Sequence, residues 1–182
     1  MQKRIILLTG SPGIGKTTIL LRAVEDLKAK GYKVGGMVSR EVLSSGTRVG
    51  FETLDVSDGR RGWLAHVNQM SGPQVGKYRV NLADLDNVGA RAIANAVENS
   101  DIIVIDEIGP MELFSDKFRD AVRKVVADKK PTMAVVHWKA RDVLIDQVKS
   151  REDTEMLVVT LENRKSLHEA LARKVVESLA AK

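Results

Sequence analysis

The spacing of apolar residues divides the chain into alternating strand and helix patterns. Lys3–Leu8 reads as a strand buried on both faces, on the strength of its continuous apolar Ile5–Leu8. A glycine-rich loop spans Gly10–Gly15. After it, Ile19, Leu20, Ala23, Val24 and Leu27 repeat at helical spacing, which predicts a helix from Lys16 to about Lys30, ended by Gly31. Lys33–Val38 reads as a second strand. From Arg48 to Val56 the pattern switches to alternation, with Val49, Phe51 and Leu54 on one face. Ser57-Asp58-Gly59-Arg60 holds the Asp-Gly pair of a tight hairpin, and Gly62–His66 reads as its returning strand. Residues 68–81 read as loop, with a short strand at Tyr78–Val80.

The second half repeats the first pattern. Helices are predicted over Asp84–Glu98, Ser115–Asp128, Ala140–Lys149 and Asn163–Leu179, the last three following strands. Those strands are Asp101–Ile105, Thr132–Val136 and Met156–Thr160. Ser115 is placed to cap its helix, and Ser166-x-x-Glu169 has the spacing of a capping box. Strands that alternate with helices imply a mostly parallel sheet flanked by helices, an α/β fold that binds ligands at the carboxyl ends of its strands. The hairpin, about residues 42–66, is expected as an insertion or edge addition to a single domain covering residues 1–182.

Gly10-Ser11-Pro12-Gly13-Ile14-Gly15-Lys16-Thr17 fits G-x-x-x-x-G-K-[ST] at every fixed position, between a buried strand and a helix as a phosphate-binding loop requires. Backbone N–H groups of such a loop turn toward phosphate oxygens, and the helix N-terminus adds its positive dipole end. Gly10–Thr17 and the adjacent Thr18 are therefore candidate nucleotide contacts. Lys16 is a point charge for the β- and γ-phosphates, and Thr17 offers a hydroxyl to Mg²⁺. A dinucleotide fingerprint fits poorly, because Thr18 stands where its third glycine is needed.

Asp106 and Glu107 follow directly on the apolar Ile102–Ile105. A carboxylate at that strand end suits the Mg²⁺ shell, and Asp106 takes that role. Glu107 beside it can orient and deprotonate a water for in-line attack on a γ-phosphate. Gly109-Pro110 turns the chain away, and Glu112 is expected to be structural rather than functional.

At these residues the chain resembles the small nucleoside-triphosphatases of archaea, thermophilic bacteria and animals, whose animal member is called cancer-related nucleoside-triphosphatase. The resemblance is carried by Gly10–Thr17, Gly35–Val42, Arg48–Phe51, Val75–Leu82, Val104–Leu113, Val136-His137 and Val159–Arg164. Within these, Asp106-Glu-Ile-Gly-Pro-Met-Glu112 is far more specific than the phosphate loop. The resemblance implies a P-loop NTPase with a RecA-like sheet, in which another strand separates the phosphate-loop strand from the Asp106 strand. It implies hydrolysis of ATP, GTP and other triphosphates to diphosphate and phosphate, with Lys16, Thr17, Asp106 and Glu107 in the roles argued above. Mg²⁺ is the expected cofactor.

Other polar residues are weaker candidates. His137 follows a strand and could sense the γ-phosphate. Asn163 and Arg164 follow the last strand and could contact base or ribose, although a helix cap explains Asn163 almost as well. Arg40 and Arg48 lie near the hairpin and could offset transition-state charge. Trp63 and Trp138 read as packing residues.

Composition narrows the classes further. The absence of cysteine excludes disulfides, thiol catalysis and thiolate zinc sites, and His66, His137 and His168 lack metal-ligand spacing. A formal net charge of +5 invites nucleic acid, but the basic residues alternate with acids along helices, as in Arg22-Ala-Val-Glu25-Asp26-Leu-Lys28. A polyphosphate substrate fits this charge equally well. No apolar run of about 18 residues is present, so no membrane-spanning helix is expected. Met1–Arg4 lead into an apolar stretch, but no small-residue cleavage site follows, and the cytoplasm is the expected location. Two alternatives stay open: a nucleotide or small-molecule kinase with its acceptor site within residues 40–80, and a nucleotide-dependent switch that binds a protein or RNA partner.

Overall fold

A computed structural model describes residues 1–181. Nine strands form one sheet: β1 (Ile5–Thr9), β2 (Val34–Ser44), β3 (Thr47–Asp55), β4 (Arg61–His66), β5 (Gln74–Val75), β6 (Tyr78–Val80), β7 (Ile102–Ile108), β8 (Thr132–Val136) and β9 (Thr154–Val158). Their spatial order is β5-β6-β4-β3-β2-β7-β8-β1-β9. The helices are α1 (Lys16–Ala29), α2 (Leu82–Asp84), α3 (Arg91–Asn99), α4 (Asp116–Ala127), α5 (Val143–Lys149) and α6 (Leu167–Ala180). Among the described residues, no helix is long and apolar enough to cross a membrane.

The apolar runs are buried because helices cover both faces of the parallel strands. Ile5 and Leu7 of β1, Ile103 and Ile105 of β7 and Ala134 of β8 pack in one core with Ile93, Phe118, Val122 and Ile145. Their neighbours along the strands, Ile6, Leu8, Ile102, Val104 and Met133, pack in a second core with Leu20, Leu27, Leu171 and Val175. All positions of these strands except Thr9 and Glu107 at the carboxyl ends are thus buried, and alternation has no polar face to show. β8 lies between β1 and β7 and pairs in parallel with both. That is the RecA-like order the resemblance implied.

β2 joins this parallel region to an antiparallel one. Its first residues, Val34–Met37, pair in parallel with β7, and Met37–Ser44 pair antiparallel with β3. β3 pairs with β4, β4 with β6, and β6 with β5. The addition therefore runs from Met37 to Val80, wider than the expected 42–66, and extends the same sheet at its edge. The expected Asp58-Gly59 turn is present, with Asp55 N–H donating to Arg60 O at 2.8 Å. A second hairpin joins β2 to β3 through Ser45 (φ 49°) and Gly46 (φ 77°), the geometry of a two-residue turn with both central φ values positive.

Several boundaries differ from expectation. The stretch predicted as one helix over Asp84–Glu98 begins with α2, capped by the Asn81 side chain. It widens to a π-helical segment over Leu85–Ala90 and becomes α3 only from Arg91. α5 starts at Val143, where Asp142 caps it by accepting from Leu144 N–H at 2.8 Å. α6 starts at Leu167, not Asn163. Ser166 is its N-cap residue but its side chain makes no capping bond, so the expected capping box is not formed. Ser115 does cap α4, accepting from Phe118 N–H at 2.9 Å.

Candidate active site

The carboxyl ends of β1, β7 and β8 open into a cleft of about 580 Å³. The phosphate loop leaves β1 and enters α1 at its floor. Gly15 has φ 112° there, a conformation a side chain would strain. Lys16 Nζ donates to Gly10 O at 2.7 Å and to Ser11 O at 3.1 Å, which holds its ammonium over the loop.

Asp106 and Glu107 reach the cleft from the end of β7. A regular strand would send neighbours to opposite faces. Here the register with β8 shifts between Asp106 and Ile108, so Glu107 is the extra residue of a bulge, and both carboxyl groups line the cleft. Thr17 Oγ1 donates to Asp106 Oδ2 at 2.7 Å. Two oxygens at this separation resemble one edge of an octahedral shell with bonds of about 2.1 Å, whose edge is about 3 Å. The donor set is hard oxygen, a buried carboxylate beside a hydroxyl. These features fit Mg²⁺ completed by substrate phosphates and water. Among the described residues, no group of three or more His, Cys, Asp or Glu is placed to hold a metal alone.

Burial raises the proton affinity of the acids. Asp106 is pushed up to about 6 by burial, against the opposing Thr17 hydrogen bond and the Lys16 charge. Glu107 is pushed up to about 7 by burial and then by Asp106, with Lys16 again opposing. Glu112 also lies in the cleft. Only 3% of it is exposed, and burial followed by the Glu107 charge raises it well above the usual carboxylate range. It was expected to be structural. The signal for its burial was local, since it lies between Met111 and Leu113 in a turn that folds back under β7.

His137 lines the cleft from the end of β8. Its Nδ1 accepts from the backbone N–H of Lys139 at 3.2 Å and of Ala140 at 3.1 Å. Burial, then Lys16 and Lys139, lower its pKa. The neutral ring therefore carries its proton on Nε2 as a donor. Arg40 and Arg48 reach the cleft from the antiparallel side. Arg40 pairs with Glu52 at 2.7 Å and Arg48 with Glu41 at 2.9 Å. Arg48 Nε also donates to Tyr78 Oη at 2.8 Å.

Asn163 and Arg164 do not line the cleft. Asn163 Oδ1 accepts from Thr160 N–H at 2.8 Å and its Nδ2 donates to Val158 O at 2.9 Å, so the amide closes a turn and does not cap α6. Arg164 Nη1 approaches Ile14 O at 3.5 Å, across the phosphate loop from Glu107. Trp63 packs edge-on against His66, their ring centroids 4.6 Å apart. Trp138 departs from its expected packing role: it is 44% exposed at the cleft mouth, with Lys139 Nζ 4.6 Å from its ring centroid. The sequence reading also missed the apolar wall formed by Phe51, Leu64, Val75 and Met111. Those residues come from four segments, and only the folded sheet brings them together.

The model of one protein family, described as NTPase, matches residues 5–172. The nucleoside-triphosphatase THEP1 of Thermofilum pendens is 44% identical over 181 residues, covering 99% of this chain and 100% of that protein. The protein of the same name from Methanosarcina acetivorans is 43% identical, covering 96% of this chain and 98% of its own. Among solved structures, a human cancer-related nucleoside triphosphatase superposes with a TM-score of 0.82 at 34% identity, covering 96% of this chain and 98% of that one. THEP1 of Aquifex aeolicus does so with a TM-score of 0.82 at 28% identity, covering 94% and 98%.

Proposed function

The chain belongs to the NTPase family, and from that premise we propose that it hydrolyses ATP, GTP and other nucleoside triphosphates to diphosphate and phosphate, with Mg²⁺, in the cytoplasm. One observation carries the mechanism: the β7 bulge sets Glu107 in the cleft beside the Thr17–Asp106 pair and across from Lys16.

The loop amides and the Lys16 ammonium bind the β- and γ-phosphates. Thr17 and Asp106 would hold Mg²⁺, which offsets phosphate charge when bound. Glu107 takes a proton from the attacking water as its oxygen approaches the γ-phosphorus. The bond to the β–γ bridging oxygen breaks, and the nucleoside diphosphate leaves. A base raised toward neutrality suits this proton transfer. His137 Nε2–H is the donor for a γ-phosphate oxygen, the sensor role its strand-end position suggested.

Arg40 and Arg48 take a smaller share in the developing charge; the ion pairs of Arg40 with Glu52 and of Arg48 with Glu41 support that reading. The nucleoside leaves the loop on the Arg164 side, where that guanidinium could meet the ribose or base. With the Asn163 amide engaged in its own turn, recognition rests on backbone and a single arginine, which supports broad base tolerance.

The test compares wild type with Glu107→Gln on a panel of triphosphates. The variant should bind nucleotide within a few-fold of wild type and lose on the order of 10²-fold or more of its phosphate release. A variant that turns over normally would remove Glu107 from the mechanism.

A further inference from the structure

The cleft extends beyond what hydrolysis requires. A water fills about 30 Å³, whereas the cleft encloses about 580 Å³. Part of this space belongs to the triphosphate, which lies along the loop and the start of α1. In-line displacement puts the acceptor on the face of the γ-phosphate opposite the leaving oxygen. On the antiparallel side of the cleft stand Phe51 of β3, Leu64 of β4, Val75 of β5 and Met111 after β7. Water gains nothing from such a wall, but an organic molecule does.

The same wall carries one prepared cation. The Arg48 guanidinium carbon lies 5.0 Å from the Phe51 ring centroid and 5.7 Å from that of Tyr78. Its Nε is spent on Tyr78 Oη and its Nη1 on Glu41. The remaining nitrogen, Nη2, has no hydrogen-bond partner among the described residues. Two aromatic rings and two hydrogen bonds thus hold the fork in place and leave one arm for an anion.

We propose that this half of the cleft is an acceptor subsite for a small primary alcohol that carries an apolar body and an anionic group. The γ-phosphoryl group is transferred to that alcohol in competition with water. The inference rests on the triphosphate chemistry proposed above and adds a second substrate class to it. The alcohol oxygen forms a bond to the γ-phosphorus, and the bond from phosphorus to the β–γ bridging oxygen breaks. Glu107 takes the hydroxyl proton, and the nucleoside diphosphate departs. The anionic group pairs with Arg48, and the apolar body lies against Phe51, Leu64, Val75 and Met111.

A probe with these three parts is 4-(hydroxymethyl)benzoate. The protein is incubated with ATP, Mg²⁺ and the probe, and the phosphate ester and free phosphate are separated by ³¹P NMR. Wild type is expected to form the ester. Val75→Trp, which fills the subsite, should lower the ratio of ester to phosphate roughly tenfold or more. Arg48→Gln should raise the probe concentration needed for half-maximal ester formation by a similar factor. Phosphate with no ester overturns the acceptor subsite and leaves hydrolysis standing. Neither product overturns the triphosphatase reading and the subsite with it. An ester formed equally by wild type and both variants overturns the placement.

Discussion

The two regions of the sheet are built by opposite rules. The parallel region is β2 with β7, β8, β1 and the edge strand β9; its inner strands β7, β8 and β1 are buried on both faces, and the groups proposed to meet the phosphates come from its strand ends. The antiparallel region, β3 to β6, is half-buried and hangs on it through β2. Together with the outer end of β2, which carries Arg40, it delivers Arg48 and Phe51, Leu64 and Val75 of the apolar wall from side chains along its strands. On the proposed function, catalytic precision in the first comes from where strands stop, and recognition in the second comes from which face a side chain takes. The first should therefore tolerate little change in backbone spacing. The second should tolerate more, and answer to side-chain identity.

The largest expected effect falls on the joint. Gly36 of β2 has φ 122°, and a Cβ there would strike the Val104 carbonyl on β7. Neither backbone can retreat without opening both cores. Gly36→Ala should cost about 3 kcal/mol or more, through steric overlap and a strained φ. For a chain of this size that lowers the melting temperature by about 10 °C. Gly46 offers the contrast within the antiparallel region. Its φ is also positive, at 77°, but a Cβ would meet nothing within 4 Å. Gly46→Ala should cost about 1 kcal/mol. Equal melting temperatures for the two variants would break the distinction between a rigid joint and a tolerant extension.

Legibility in the sequence followed the same division. Continuous apolar runs such as Ile5–Leu8 and Ile102–Ile105 stand out because no residue in them faces water. The phosphate loop is legible because its chemistry is backbone chemistry at fixed spacing. The antiparallel region was only half legible. Asp58-Gly59 announced one hairpin, but Ser45-Gly46, a weaker turn pair, went unread, and β2 was ended at Val38 instead of Ser44. The apolar wall depends on contacts distant in sequence, which periodicity does not report. The failed box at Ser166 shows the limit of a spacing rule: the Thr160–Asn163 turn spends the chain before α6 differently.

The acids of the parallel region predict a second difference. Asp106 at about 6, Glu107 at about 7 and Glu112, raised well above the usual carboxylate range, hold protons in the folded protein that they release on unfolding near pH 4. The folded state binds more protons in that interval, so stability is fully present below it and falls as pH rises through 7. His137, with its lowered pKa, opposes this as one group against three. Asp142 and Asp153, lowered by Arg119 and by Arg151 with Arg4, act only below about pH 4. The metal-free, nucleotide-free protein should therefore lose on the order of 2 kcal/mol between pH 5 and 8. Mg²⁺ with nucleotide should restore much of it. Thermal melts across this range check the slope, and Asp106→Asn, Glu107→Gln and Glu112→Gln combined should flatten it. A slope that survives in that triple variant would place its source outside the cleft.

The smallest effect is the most local, and it tests whether strand-end placement governs the chemistry. The Glu107 side chain folds back over Gly109: a Cβ at that position would lie 2.6 Å from Glu107 Oε1 and 3.1 Å from its Cγ and Cδ. Gly109→Ala must therefore move the carboxyl group, while the phosphate loop and the Thr17–Asp106 pair stay untouched. Nucleotide affinity should hold within about twofold, and kcat should fall roughly tenfold, the consequence of misplacing a base by a fraction of a bond length to an ångström. KM and kcat measured together separate this from a general loss of structure, which would move both and lower the melting temperature. If kcat is unchanged, Glu107 finds its working position only with substrate bound, and the resting geometry at the end of β7 is not what sets the rate.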